Sequence, residues 1–566
     1  MPKPAKIAPP ASPWDSETRL LAWLATCVSV FSFLFYFKYG DVLLYGDAVA
    51  HINIARRVFD SKTPGLLQLG TVWLPLPHLL MIPFLLSDEM WRRGLGGSIP
   101  SMAAYVFGVI GMFRLLRATL SRNSFSHSPL PDSQALNASP RLAAWIGALM
   151  YAANPNLIYM QTTAMGESLY LAFFVWAIVY LSEFVRGDAK ALTKCGLCLA
   201  AACLTRYDGW FLAAVVAGTM FAVFSHNVFA NRPTLQIPRA AITRFVLLAA
   251  AGPVLWLAYN GIVYRNPLEF ANGPYSARAI ERRTQTAGYQ GHPGGGNPLL
   301  AGMYFLKSAE ADAAANEWLG RGWILVAVAG GMAAVLSDRR KSRDAASPGP
   351  WPLLLLLVPV PFYALSVAYG GVPIFVPAWW PFAHYNVRYG LQLLPAFAAA
   401  LGILVYRVIV YEHWRYRFRL ACVMVLLAFV IACYATIWHS GPISLEEAQI
   451  NMRSRHQLET QLASWLEKLP PDSTLLMYLG DHVGAVQQAG IPLKRVINEG
   501  NHRPWKQPSD PDGLWERALA DPARYADYVI AFEGDRVWQA MQSRHLPELV
   551  EIHVTGQARG ILYRAR

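Results

Sequence analysis

Two adjoining stretches, "LLAWLATCVSVFSFLFYF" (residues 20–37) and "LLYGDAVAHINIARRVF" (43–59), decide how this chain is to be read. The first is apolar and, with its flanks, long enough to cross a bilayer, which takes about 20 residues of helix. The second places a strong acid (Asp47), a histidine one turn later (His51) and two arginines (Arg56, Arg57) where the chain has just left lipid.

The pattern repeats. Apolar runs lie near 20–38, 98–117, 141–153, 167–185, 190–204, 208–226, 243–260, 321–337, 351–369, 387–411 and 419–438. Charged residues make up 15% of the chain, against about 25% in soluble domains. These features predict a polytopic α-helical membrane protein with about eleven transmembrane helices. The proline-rich "VWLPLPHLLMIPFLL" (72–86) reads as an interfacial or re-entrant helix rather than a span.

The formal charge of +13 does not point to nucleic acid, because of where the charge sits. Lysines and arginines fill alternate short loops: Arg114, Arg117, Arg122 and Arg141; Arg186, Lys190 and Lys194; Arg232, Arg239 and Arg244; "RRKSR" (339–343); "WRYRFR" (414–419). Such alternation follows the positive-inside rule. It puts the N-terminus in the cytoplasm and residues 39–97, 261–320 and the tail after about 440 outside. The expected location is the plasma (bacterial inner) membrane, with the first span a retained anchor and the lipid bilayer as a partner.

The expected division is a catalytic transmembrane domain, 1–440, with outer loops 39–97 and 261–320, and an extracytoplasmic α/β domain, 441–566. In the tail, helical patterns alternate with strand-like runs such as "STLLMYL" and "DYVIAF", which suggests a partly parallel sheet. The glycine-rich "GYQGHPGGGNPLL" lacks the Lys-Ser/Thr of a phosphate loop and reads as a flexible lid or loop. The Ser/Pro-rich 121–141 reads as a mobile connector. The six cysteines all lie in apolar runs and read as buried packing.

An ionisable group at membrane depth costs about 2.5–3.5 kcal/mol on insertion scales, so the edge charges carry information. Besides Asp47 they are His78 in "WLPLPHLL", Glu167 opening a span in "TTAMGESLYL", Arg206, Tyr207 and Asp208 in the tight turn "LTRYDGW", and His384, Arg388 and Tyr389 in "HYNVRYGLQLLPAF". Glu167 could simply complement a helix dipole, Asp208 could cap a turn, and Arg56 and Arg57 could contact headgroups or solvent. Yet all belong to one leaflet by the charge rule. Asp47 is suited to act as a general base on an acceptor hydroxyl. Arg388 and Arg206 are suited to a phosphate leaving group, and the membrane position suggests that the phosphate carries a lipid.

These motifs, in this order and on one side, resemble the GT-C superfamily of membrane glycosyltransferases, which includes protein O-mannosyltransferases and the lipid A aminoarabinose transferase. "NGIVYRNPLEF" and "VRYGLQLLPAFAAALG" complete the set, and the resemblance covers roughly residues 20–440. It implies inverting transfer of a sugar from a polyprenyl-phosphate-linked donor to a lipid, glycan or protein acceptor on the outer face. It implies Asp47 and Glu167 as the catalytic acids and Arg388 with Tyr389 as the donor-phosphate contact; Arg206 is expected to join that contact by its charge, with His51, His78 and His384 in support. A divalent metal (Mg or Mn) on Asp47, His51 and Glu167 is left open by the lone "GD" of the first loop. A glycan ligase using a lipid diphosphate is the near alternative, and a lipid-linked-sugar flippase the alternative of another class.

Overall fold

The computed structural model of the chain describes residues 14–121, 133–229, 239–286, 291–341, 351–411, 414–501, 510 and 512–566. Most of the Ser/Pro-rich connector, the start of the glycine-rich run and the end of "RRKSR" lie outside the described residues.

Helix α1 (Ser16–Tyr39) leads through a 3-10 turn into the short α2 (Gly46–Arg57). Then come α3 (Leu95–Ser121), α4 (Ser133–Ala152), α5 (Glu167–Val185), α6 (Ala189–Thr205), α7 (Asp208–Phe229) and α8 (Arg239–Val263). The block 261–320 holds α9 (Pro298–Ala313). It is followed by α10 (Glu317–Lys341), α11 (Pro359–Tyr369), α12 (Leu394–Val410) and α13 (Tyr416–Ser440). Gly441, at a positive φ of 93°, breaks the chain before α14 (Ile443–Leu466).

All eleven apolar runs are helical, and the chain is a multi-pass membrane protein. Eight helical segments among the described residues are long and apolar enough to cross a membrane by length and composition. The other three runs are α4, α6 and α7. Helix α6 has 17 residues, about 26 Å of rise, a little short of a ~30 Å hydrocarbon layer. Helix α1 shows the lipid-facing pattern: Leu21, Ala25, Ser29, Phe33 and Tyr36 are buried, while Trp23, Phe31, Leu34 and Phe35 are exposed. That apolar outer stripe is stable only against lipid. Helix α5, packed between α3 and α6, is buried nearly all round.

The bundle has two chemically different ends. At one, Arg117 pairs with Asp15 (2.5 Å) and Glu17 (3.4 Å), Arg141 with Glu17 (3.0 Å), and Arg114 with Glu183 (2.7 Å). At the other lie the C-terminus of α1, the N-termini of α5 and α7, and the 3-10 turn Val387–Leu393 that leads into α12.

The tail forms a five-stranded sheet of β1 (Leu475–Met477), β2 (Val496–Ile497), β3 (Tyr528–Phe532), β4 (Glu548–Ile552) and β5 (Gly560–Arg564). The order is β2-β1-β3-β5-β4, with β1 parallel to β2 and β3, and β5 antiparallel to β3 and β4. Side chains alternate as the pleat requires. Leu475, Met477 and Ile530 join the core that contains Leu458, Leu462 and Leu466 of α14; Leu476, Val529 and Ala531 pack with Trp515, Val537 and Met541.

The tail is tied to the block 39–97. Asn53 donates to Gln487 (2.6 Å), Gln487 donates to the Trp91 carbonyl (2.8 Å), and the amides of Leu493 and Lys494 donate to Asp60. Arg56, expected at headgroups or solvent, is instead buried, holding Asp60 and Asp88 with its guanidinium beside the rings of Phe59 and Trp91. The described part of the glycine-rich run is held in place rather than free: His292 bonds the Val367 carbonyl and pairs with Glu281, and the Gly296 amide donates to Ala368.

Candidate active site

Four helices begin at one place. Asp47 stands in the first turn of α2, Glu167 opens α5, Asp208 opens α7, and Glu447 lies one turn into α14. Helix N-termini carry unpaired N–H groups and a partial positive charge, so acids are stable there and anions are attracted. At their meeting point sits Arg388, on the 3-10 turn before α12, just after Asn386, which takes the left-handed conformation (φ 56°).

The turn is pressed against α9. A Cβ added at Gly390 would lie 2.4 Å from the backbone of Ser308 and Ala309, so only glycine allows this approach. Gly209 does the same for the α6–α7 connection, where an added Cβ would meet the Ala202 backbone at 2.4 Å. That close turn carries Arg206 and Asp208.

Arg388 holds three carboxylates. Its Nε donates to Glu167 (3.2 Å), its Nη2 to Asp47 (3.0 Å) and its Nη1 to Glu447. Glu447 also accepts the Val387 amide (2.7 Å), which fixes the backbone from which Arg388 springs. Arg206 donates to Glu167 (3.0 Å), to Asp208 (3.3 Å) and to the Tyr363 hydroxyl (3.1 Å), and Tyr363 in turn donates to Asp208 (2.7 Å). The Tyr389 ring lies under both guanidinia, 4.9 Å from Arg206 and 5.2 Å from Arg388, and Tyr45 backs Arg388 at 4.8 Å.

Burial differs sharply across this set. Glu167 is fully buried, and its second oxygen, Oε2, has no hydrogen-bond partner among the described residues. The Asp47 side chain is 45% exposed. The site therefore presents one solvent-facing acid beside two guanidiniums.

The structure thus brings together Asp47, Glu167, Arg206, Arg388 and Tyr389. His51 and His78 form their own pair at 2.7 Å (Nδ1 to Nε2), with His51 against Trp73. Burial pushes both imidazoles below the usual histidine range, His78 furthest. His384 stands apart, with its imidazole 3.6 Å from Glu446 rather than on Arg388, Asp47 or Glu167. Sequence reasoning missed Glu447, Tyr363 and Tyr45. Glu447 carried a signal, an acid one turn into a helix that follows an apolar run. Tyr363, inside an apolar run, carried none.

The metal left open by the resemblance does not fit these residues. Arg388 bonds both Asp47 and Glu167, His51 directs Nδ1 at His78, and no three His, Cys, Asp or Glu side chains among the described residues are grouped to hold an ion.

No protein-family model and no curated protein matches the chain. Among solved structures it is similar to ArnT from Cupriavidus metallidurans bound to undecaprenyl phosphate, with a TM-score of 0.55 and 13% identity over 97% of this chain and 98% of that one. The apo state of the same protein gives a TM-score of 0.55 and 12% identity over the same shares. The chain thus shares the fold of ArnT, the kind of fold that the sequence motifs led us to expect.

Proposed function

We propose that the chain is a glycosyltransferase that moves a sugar from a polyprenyl-phosphate donor to an acceptor hydroxyl at the outer face of the bacterial inner membrane. The observation that carries this reading is Arg388 bonded to both Asp47 and Glu167 where helix N-termini converge. Two arginines and several dipole ends favour an anion, and an exposed carboxylate beside them supplies a base. Charge placement supports the outer face: Arg114, Arg117 and Arg141 cluster at the opposite end, which by the positive-inside rule reads as the cytoplasmic one. The neighbour that holds undecaprenyl phosphate supports a lipid carrier.

In this reading the acceptor hydroxyl gives its proton to Asp47 as its oxygen attacks the anomeric carbon. The bond from that carbon to the phosphate oxygen breaks, and the sugar is inverted by the single displacement. The polyprenyl phosphate leaves with the added negative charge, which Arg388 and Arg206 neutralise. Glu167 orients both guanidiniums. Tyr389 stacks the arginine pair in place.

Mass spectrometry of membrane lipids and surface glycans from a deletion strain tests this. The expected result is accumulation of a polyprenyl-phosphate sugar and loss of that sugar from an envelope component, restored by the natural chain and not by Asp47→Asn. Restoration by Asp47→Asn, with Arg388 and His384 both required, would favour the ligase-type reaction instead.

A further inference from the structure

The proposed reaction asks Asp47 to be a free base and Arg388 to hold a phosphate, yet in the structure the two are bonded to each other. Arg388 has Nε on Glu167, Nη1 on Glu447 and Nη2 on Asp47. The three carboxylates are not equivalent. Glu167 and Glu447 are buried, with side-chain exposures of 0% and 2%; Glu167 is shared with Arg206 and Glu447 with the Val387 amide. Asp47 is 45% exposed, and its bond to Arg388 is the one hydrogen bond of its carboxylate among the described residues.

An anion arriving from solvent or the membrane surface therefore meets one exchangeable partner on Arg388. Exposed ion pairs are weak, whereas breaking a buried pair strands a charge and is costly. A polyprenyl-phosphate sugar is a phosphodiester with one negative charge. Replacing Asp47 by it leaves the charge count around Arg388 unchanged, and a phosphate accepts guanidinium N–H groups at least as well as a carboxylate.

We propose that donor binding and base release are a single exchange: the donor phosphate takes Nη2 of Arg388 and frees Asp47 to accept the acceptor's proton. Without a donor the base stays occupied; with one it is released beside the anomeric carbon. Glu167 and Glu447 do not exchange and act as positioning residues for the guanidinium. The inference rests on the reading of Arg388 as the phosphate contact.

The test uses the full chain in lipid nanodiscs with undecaprenyl phosphate as the probe. Asp47→Ala removes the internal competitor, so it is expected to bind the probe about three- to fivefold more tightly, the worth of a half-exposed ion pair, while losing transfer activity. Unchanged or weaker binding overturns the exchange. A structure of the natural chain with the probe needs no variant: Asp47 Oδ2 is expected more than about 4 Å from Arg388 Nη2, beyond ion-pair reach, with Glu167 and Glu447 still in place. A seated phosphate with the Asp47 contact intact overturns it. Arg388→Lys is expected to weaken probe binding at least tenfold; if it binds as the natural chain does, the phosphate reading of Arg388 is what fails. Weakening by Arg388→Lys without tightening by Asp47→Ala refutes the exchange alone.

Discussion

The two ends of the helical bundle are both held by ion pairs, and they are built on opposite plans. At the basic end three arginines (Arg114, Arg117, Arg141) meet three acids (Asp15, Glu17, Glu183), all partly exposed. At the other end two arginines (Arg206, Arg388) meet four acids (Asp47, Asp208, Glu167, Glu447), and most of the set is buried. Balanced, solvated pairs cost little and contribute little. A buried network with surplus carboxylates is expensive, and stability alone does not explain it, since apolar packing of the same volume does as well or better. The difference separates a fastening from a candidate site.

The sharpest break of this contrast is Arg388→Ala. It strands Glu447 without its cation and leaves Glu167 with Arg206 alone, and removing one partner of a buried pair costs about 3–5 kcal/mol. Loss of thermal stability in detergent and of all transfer activity is expected. An Arg388→Ala chain that melts like the natural one would mean the network is not buried in the working protein.

Glu447→Gln comes next. The amide still accepts the Val387 N–H but no longer pairs ionically with Arg388. We expect a fall in kcat of about ten- to hundredfold, or 1.4–2.8 kcal/mol in the barrier, with a near-normal melting temperature. An unchanged rate would reduce α14 to scaffolding.

Acidification separates the ends in another way. His51 and His78, beside the site, have pKa values lowered by burial. Their neutral forms stabilise the fold above the unfolded value of about 6.5. That contribution is lost as pH falls below 6.5, because the unfolded chain binds protons more readily. Melting temperatures are expected to fall between pH 7 and pH 5, and His78→Gln is expected to flatten that slope. The basic end holds no histidine in its pairs and should not respond. A flat profile in the natural chain would show that the imidazole pair is solvated.

The smallest effect is expected from Arg117→Gln. Its partners Asp15 and Glu17 are partly exposed, so the cost is about 1 kcal/mol or less and transfer rates should stay within about twofold. A large rate loss there would erase the distinction between the ends.

Much of the site was legible before any coordinates. Asp47, Glu167, Arg206 and Arg388 were recognisable because ionisable groups at the lip of a span are costly and stand out against apolar sequence. Glu447 was passed over because α14 read as the start of a separate soluble domain. Its first turn reaches back instead, with the Ser444 amide and hydroxyl on Asn156 (3.0 and 2.9 Å) and Tyr45 on the Ser444 carbonyl (2.6 Å). Tyr363 lay in an apolar run where a phenol looks like packing, and only its neighbours Asp208 and Arg206 give it a polar role.

By itself the sequence determined the class: hydrocarbon length, charge alternation and period-two strands are local properties, written residue by residue. Tertiary structure decided which acids share one guanidinium, which of them is exposed, and that two histidines pair with each other. Those are contacts between helices far apart in the chain, set by close approaches such as Gly390 on α9, and no local pattern encodes them.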